Sequence, residues 1–289
     1  MRLAITGTTG RVGRALADGL AASHELIELP RGVFDLADPA CAERLAAWDF
    51  DLLLNPAGLT GLEHCEDDPD LAEQVNARAP AAMAAFCQAH GRKILHFSTD
   101  YVFDGHEPGL KQEDDPVNPL SVYGKTKEAG ERAVLAAGGT VMRVSWVFGP
   151  EKPAFPDTVI DRALAGQEIA AVADKFSLPV YTPDLCGWVG GLLEGGCPAG
   201  LFHACNGGPV TSWHGMALEI VASLRELHGI EVAEPKPLLM AEMSAFRAAR
   251  PRHTAMATER LAALLGEGRM PRDWRLALRE HVASRLISR

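Results

Sequence analysis

Short apolar runs alternate with longer amphipathic stretches through the first half of the chain. Arg2 to Thr6, Glu25 to Leu29, Asp51 to Leu54, Ile94 to Phe97 and Thr140 to Val144 read as buried strands. Between them fall Ala- and Leu-rich segments of helical period. One runs to about Ala22, one spans Asp70 to His90, and one opens near Ser121, whose hydroxyl can cap free N–H groups. Gly138-Gly139 and Gly149-Pro150 break the pattern. Beyond residue 150 the alternation loosens. Helices are expected over Phe155 to Ala165, Thr182 to Leu193, Thr211 to His228 and Trp274 to Leu286, with short strands over Glu168 to Val172 and Leu201 to Ala204. Asp174 to Pro179 and Glu234 to Pro237 read as connections, and no internal repeat is visible.

The loops that follow the strands carry the candidate chemistry. Thr6 to Gly13 reads Thr-Gly-Thr-Thr-Gly-Arg-Val-Gly, between a first strand and a first helix. Glycines at this spacing allow a tight turn and let the backbone approach a pyrophosphate at the helix N-terminus. Gly7, Thr9, Gly10, Arg11 and Val12 are therefore candidate dinucleotide contacts. The end of a second strand selects the cofactor: an acid grips the ribose hydroxyls, whereas an arginine accepts a 2′-phosphate. Pro30 and Arg31 stand there, which favours NADPH, with NADH as the alternative. Asp35 and Leu36 follow at a position that could flank the adenine. Asn55-Pro56-Ala57-Gly58 ends the third strand; small residues let a cofactor pass close by, so Asn55, Ala57 and Gly58 join the set. Asn76, a polar residue amid Ala, Val and Leu, needs partners if buried and could tie neighbouring loops together.

The fourth strand delivers Ser98 and Thr99 to its carboxyl end, the edge where an open parallel sheet binds ligands. On the next helix Tyr123 and Lys127 stand four apart, on one face. A free tyrosine titrates near ~10 and is a poor acid or base at neutral pH. A nearby ammonium is expected to favour the phenolate and lower that value. A hydroxyl at Thr99 could hold the oxygen of a reacting carbonyl. Together the three make a proton-transfer site for ketone–alcohol chemistry. Two aromatics in Ser145-Trp146-Val147-Phe148 could wall a pocket or cover the core, and the basic run Arg250-Pro251-Arg252-His253-Thr254 could hold a diphosphate.

Composition narrows the partners. The 289 residues are 47% hydrophobic and 23% charged, as in a globular chain. A net charge of -10 and a pI near 5.5 argue against nucleic acid and anionic membranes. Six scattered cysteines show no metal-ligand spacing, so no metal is expected. Free thiols, no signal peptide and no membrane-length apolar stretch point to the cytoplasm.

These motifs together resemble an extended short-chain dehydrogenase/reductase. More specifically, Ser-Thr-Asp-Tyr-Val-Phe at 98–103, Tyr-Gly-Lys-Thr-Lys-Glu-Ala-Gly-Glu at 123–131, Arg-Val-Ser-Trp-Val-Phe at 143–148 and Arg-Pro at 250–251 resemble the dTDP-4-dehydrorhamnose reductase family. The resemblance implies an α/β fold. A Rossmann doubly wound parallel sheet over 1–150, with part of 151–235 contributing, precedes a smaller C-terminal α/β substrate-binding part within 151–289. It implies NADPH-dependent reduction of the C4 ketone of a nucleotide-linked deoxysugar. Tyr123 would protonate the new alkoxide, Thr99 would hold the same oxygen, and Lys127 would depress the tyrosine and bind the nicotinamide ribose. Asp100, Tyr101 and Trp146 would meet the substrate and Arg252 or its neighbours its nucleotide; a homodimer is compatible with the family.

This chain departs from the family pattern at Ser177 and Val180, where Gly and Thr are common, and at Thr254 and Met256, where Ser and Leu are common. Asn55-Pro56-Ala57-Gly58 replaces Asn-Ala-Ala-Ala. Two alternatives stay open. One is another sugar-nucleotide enzyme such as a 4-epimerase; a dehydratase fits poorly, because Tyr101 stands where it needs a second acid. The other is a non-catalytic dinucleotide-binding subunit resembling the methionine adenosyltransferase beta subunit.

Overall fold

Five apolar runs of the first half and one of the second become parallel strands of one sheet. They are β1 (Arg2–Thr6), β2 (Glu25–Leu29), β3 (Leu52–Asn55), β4 (Lys93–Thr99), β5 (Thr140–Val144) and β6 (Gly200–Ala204). The computed structural model describes residues 1–266 and 268–287. The strand order is β2-β1-β3-β4-β5-β6, and every neighbouring pair is parallel. The order reverses between β1 and β3, which opens a crevice at the carboxyl edge of the sheet.

Both faces are covered, which is why the strands are apolar runs and not alternating ones. On one face α1 (Arg11–Leu20) and a helix over Thr182–Glu194 bring Leu16, Leu20, Trp188 and Val189 onto Leu3, Ile5, Leu52 and Leu95. On the other, α2 (Ala79–Ala89) and α3 (Val122–Ala136) bring Met83, Cys87 and Val134 onto Leu53, Ile94 and Val141. A third cluster, with Phe148, Ile160, Ile220, Trp274 and Leu278, belongs to the helices over Phe155–Leu164, Trp213–His228 and Trp274–Ile287.

Three expected elements differ, the first being the connection read over Glu234 to Pro237, where Lys236–Leu238 is a strand parallel to Ala170–Val172. The single helix read from Asp70 to His90 is broken into Pro69–Glu73, a π-helical turn over Gln74–Arg78, and α2. Pro80 lacks the N–H that would serve the Asn76 carbonyl, so the regular ladder cannot pass this point. The helix expected from Thr211 starts at Trp213, with the Ser212 hydroxyl accepting from the Gly215 N–H at 3.0 Å. Thr211–Ser212 instead pairs antiparallel with Phe176–Ser177, inside the stretch read as a loop.

A buried ion pair ties α3 to the sheet. Arg143 of β5 donates from Nε to Glu131 Oε2 at 3.0 Å, with both side chains almost fully buried. His203 of β6 completes the cluster, its Nε2 3.2 Å from the guanidinium. Burial, and then the neighbouring arginine, push that imidazole down to about 3, so it stays neutral. Glu131→Ala would leave the guanidinium buried without its counter-charge. The expected loss is about 3–5 kcal/mol in urea unfolding; a loss under ~1 kcal/mol would show that the pair does not anchor the helix.

Candidate active site

The loop after β1 folds back on itself because Gly7 takes the left-handed conformation, φ +60°. Its N–H donates to the Leu29 carbonyl and its carbonyl accepts from Gly10 N–H, both at 2.8 Å. A Cβ at Gly7 would come within 3.0 Å of Ala57 Cβ, so the loops after β1 and β3 touch only because that side chain is absent. Gly10 caps α1, leaving main-chain N–H groups of its first turn for a ligand.

A cleft of about 500 Å³ lies over this point. At one end it is lined by Gly7, Thr9, Gly10, Arg11 and Val12, with Arg31, Asp35 and Leu36 beyond β2 and Ala57 and Gly58 beyond β3. At the other end stand Thr99, Asp100 and Tyr101, Tyr123 and Lys127 of α3, and Trp146 after β5. Two helices and five strand ends thus bring together every predicted site residue except Asn55 and Arg252.

Ser121 caps α3 as its sequence indicates, accepting from Gly124 N–H at 3.2 Å. The first turn of α3 packs hard against the residues after β4: a Cβ at Gly124 would lie 2.4 Å from the Tyr101 carbonyl oxygen. That approach places Tyr123 beside Thr99, whose side chain hydrogen-bonds the phenol. Tyr101 and Tyr123 meet edge to face, with centroids 5.7 Å apart.

One turn along α3, the Lys127 ammonium donates to the Phe97 carbonyl at 2.5 Å and lies 3.1 Å from His96 Nε2. Burial pushes this lysine down to about 8, with Glu131 opposing. The expectation that Lys127 draws the phenol down is corrected here. Burial raises the Tyr123 phenol and the Thr99 hydrogen bond opposes it, while the hydrogen bonds of the ammonium run into β4.

A family model described as the RmlD substrate binding domain matches residues 1–286. The chain belongs to this family. A dTDP-4-dehydrorhamnose reductase of Mycolicibacterium smegmatis is 35% identical, over 98% of this chain and 85% of the relative. A Streptomyces antibioticus protein named as a probable dTDP-4,6-dihydroxy-2-methyloxan-3-one 4-ketoreductase is 36% identical, over 97% and 94%. The crystal structure of a Bacillus anthracis dTDP-4-dehydrorhamnose reductase in complex with NADP superposes with a TM-score of 0.88 at 27% identity, covering 98% of this chain and 99% of that one.

Two of the departures noted in the sequence converge on one carboxylate. Asp100 is buried, and its Oδ2 accepts from Ser145 Oγ at 2.9 Å, Thr254 Oγ1 at 2.5 Å and Ser177 Oγ at 3.4 Å, while Oδ1 accepts from Thr99 Oγ1 at 3.2 Å. Ser177 and Thr254, two of the departing residues, thereby join the strand ends to the C-terminal segments. Asp100 lines the cleft, but its oxygens serve the protein. Buried Lys175 donates to the Pro251 carbonyl at 2.8 Å and sits 4.6 Å from the Tyr101 ring centroid. Trp146 holds a positive φ of 44°, costly for a bulky residue, and its buried indole N–H has no partner.

Two expectations are corrected by position. Arg252 is largely exposed and paired with Asp174 at 3.0 Å, away from the cleft lining; the inward arginine of that run is Arg250, bound to Glu63 at 2.8 Å over the Phe246 ring. Asn55 lies one layer below the cleft, between Thr6 at 2.7 Å and His96 at 2.9 Å. Asn76 does tie loops together, gripping Leu59 N–H and C=O at 2.8 and 2.9 Å and reaching Thr126 at 3.3 Å. The sequence reading missed Leu71 and Val75, which line the cleft; their i, i+4 spacing was the available signal. It also missed His96, an ionisable residue inside the apolar run Ile94 to Phe97.

Among the described residues no group of three or more His, Cys, Asp or Glu could hold a metal ion, and no helix is long and apolar enough to cross a membrane.

A depressed lysine makes a pH prediction. Between about 8 and the ordinary lysine range near 10.5 the unfolded chain holds a proton on Lys127 that the native protein has lost. The native protein is therefore expected to gain stability relative to Lys127→Met as pH rises through that window, with a constant difference below it. Urea unfolding at several pH values checks this; parallel profiles would contradict it.

Proposed function

We propose that this protein reduces the C4 ketone of a nucleotide-linked deoxysugar, with NADPH as hydride donor. The reading is supported above all by one arrangement: Thr99, Tyr123 and Lys127 share a cleft whose far end is the Gly7–Gly10 loop. The main chain there is bare of side chains at Gly7 and Gly10, which fits a pyrophosphate, and Arg31 beyond β2 fits a 2′-phosphate. Bound NADPH supplies the hydride. Lys127 lines the same cleft, where its ammonium can meet a cofactor ribose.

The proton comes from Tyr123. Burial keeps its phenol protonated at neutral pH, so it is an acid ready to give its proton to the ketone oxygen as the C4–H bond forms. The Thr99 hydroxyl holds that same oxygen. As the proton leaves, negative charge grows on the tyrosine oxygen, and the hydrogen bond from Thr99, which opposes the effect of burial, offsets part of it. Tyr101 and Trp146 wall the cleft beside this point and frame the sugar. The dTDP-linked sugars in the names of the relatives support this substrate class, and dTDP-4-dehydrorhamnose is the first member to try.

Steady-state NADPH absorbance with a panel of dTDP- and other nucleotide-linked 4-keto sugars tests the reading. Stoichiometric NADPH oxidation with at least one is expected. Tyr123→Phe should lower kcat by roughly 10²–10⁴, with NADPH affinity nearly unchanged. No oxidation with any 4-keto sugar, or full activity in Tyr123→Phe, would overturn it.

A further inference from the structure

His96 is the feature that the proposed chemistry leaves unused. It stands in β4 between Leu95 and Phe97, fully buried. Its Nε2 is 3.1 Å from Lys127 Nζ, and its Nδ1 is 2.9 Å from the Asn55 side-chain amide. Asn55 is in turn held by Thr6 at 2.7 Å. The ends of β1, β3 and β4 are thus linked by side chains in a row that terminates at the ammonium.

An ammonium has three N–H donors. The Phe97 carbonyl takes one. The imidazole is placed for the second, and Lys127 also lines the cleft. We propose that His96 is a positioning residue for Lys127: as a neutral ring, its Nε2 accepts the second hydrogen bond and so aims the third N–H into the cleft. This deepens the reductase reading and rests on it for its kinetic consequence.

The chemistry of the partner matters. A carboxylate at this place would neutralise the lysine and draw its proton toward β4. A neutral acceptor holds the direction and leaves the charge for the cleft. Burial and the adjacent ammonium both push the imidazole well below its ordinary value, so it stays neutral. With Lys127 charged, Nε2 must accept, and the ring proton therefore sits on Nδ1, facing Asn55. Asn55 can accept it: its main-chain carbonyl hydrogen-bonds the ring, and its amide can present oxygen, which nearly matches nitrogen in shape.

The other groups around Lys127 do not replace this contact. On α3, Glu131 is engaged by Arg143 of β5, and Tyr123 is bonded to Thr99. Asp100 is occupied by four hydroxyls. The loop after β3 meets the ammonium at Gly58, which carries no charge.

Two variants separate the ring nitrogens. Asn in place of His keeps a polar atom near the Nδ1 position and none at Nε2; Gln reaches the Nε2 position. His96→Asn is expected to lower kcat roughly tenfold at pH 8, and to move the alkaline fall in activity and the Lys127 titration down by about one pH unit, because the charged amine loses an acceptor. His96→Gln is expected to retain most of the activity and the unmodified titration. Lys127 is followed directly by 13C NMR of labelled lysine, which needs no turnover. If no 4-keto sugar is reduced, the functional reading fails while this titration still reports on His96. The unmodified full chain supplies a check independent of folding: 15N NMR of the imidazole is expected to show the Nδ1–H tautomer at pH 6–7. An Nε2–H tautomer there, or Asn and Gln variants that behave alike, would overturn the proposal.

Discussion

Lys127 carries an ammonium into the interior at the carboxyl end of a parallel sheet, and the surrounding chain is shaped by the need to hold it. An isolated buried charge is expensive, so the protein surrounds it with acceptors. Phe97 contributes a carbonyl from near the carboxyl end of β4, and His96 a ring nitrogen one residue earlier. The helix that bears the lysine is pinned to β5 by Glu131 and Arg143. It is pinned to the residues after β4 by the close approach at Gly124, and to the π-turn by Asn76 and Thr126. Each of these contacts restricts where the lysine and its neighbour Tyr123 can stand relative to Thr99.

Asp100 plays the matching part for the other half of the cleft. One carboxylate gathers hydroxyls from β4, the end of β5, the 176–177 strand and the 250–256 segment. The segments that carry Trp146, Lys175 and Arg250 therefore cannot move independently of the strand tip that carries Thr99. Ser177 and Thr254 depart from the family pattern and yet feed this hub. They support the cleft from behind, while Tyr101 and Trp146 face it.

Much of the cleft's local geometry was legible in the sequence because it depends on local rules. Gly7 answers to a backbone angle, Ser121 to a helix cap, and Tyr123 with Lys127 to helical spacing. What the sequence hid depends on distant partners. Arg252 and Arg250 are two residues apart in a basic run, and only the positions of Asp174 and Glu63 decide which turns outward. Asn55 looks like a cofactor contact at a strand tip, but its partners Thr6 and His96 come from other strands. The lysine–tyrosine coupling was inferred from spacing alone, and the acceptors in β4 that redirect the ammonium lie about thirty residues earlier in the chain. The π-turn is the intermediate case: Pro80 was visible, but its effect on Asn76 requires a hydrogen-bond count.

The central claim is that hydride moves from the cofactor to C4 of a nucleotide-linked sugar in the cleft over Thr99 and Tyr123. Turnover with cofactor deuterated at nicotinamide C4, followed by NMR of the product sugar, follows that atom itself. The account predicts one deuterium per product, bonded to C4, with one cofactor oxidised for each sugar reduced. Deuterium at another carbon, or an altered sugar with no net cofactor oxidation, would contradict it.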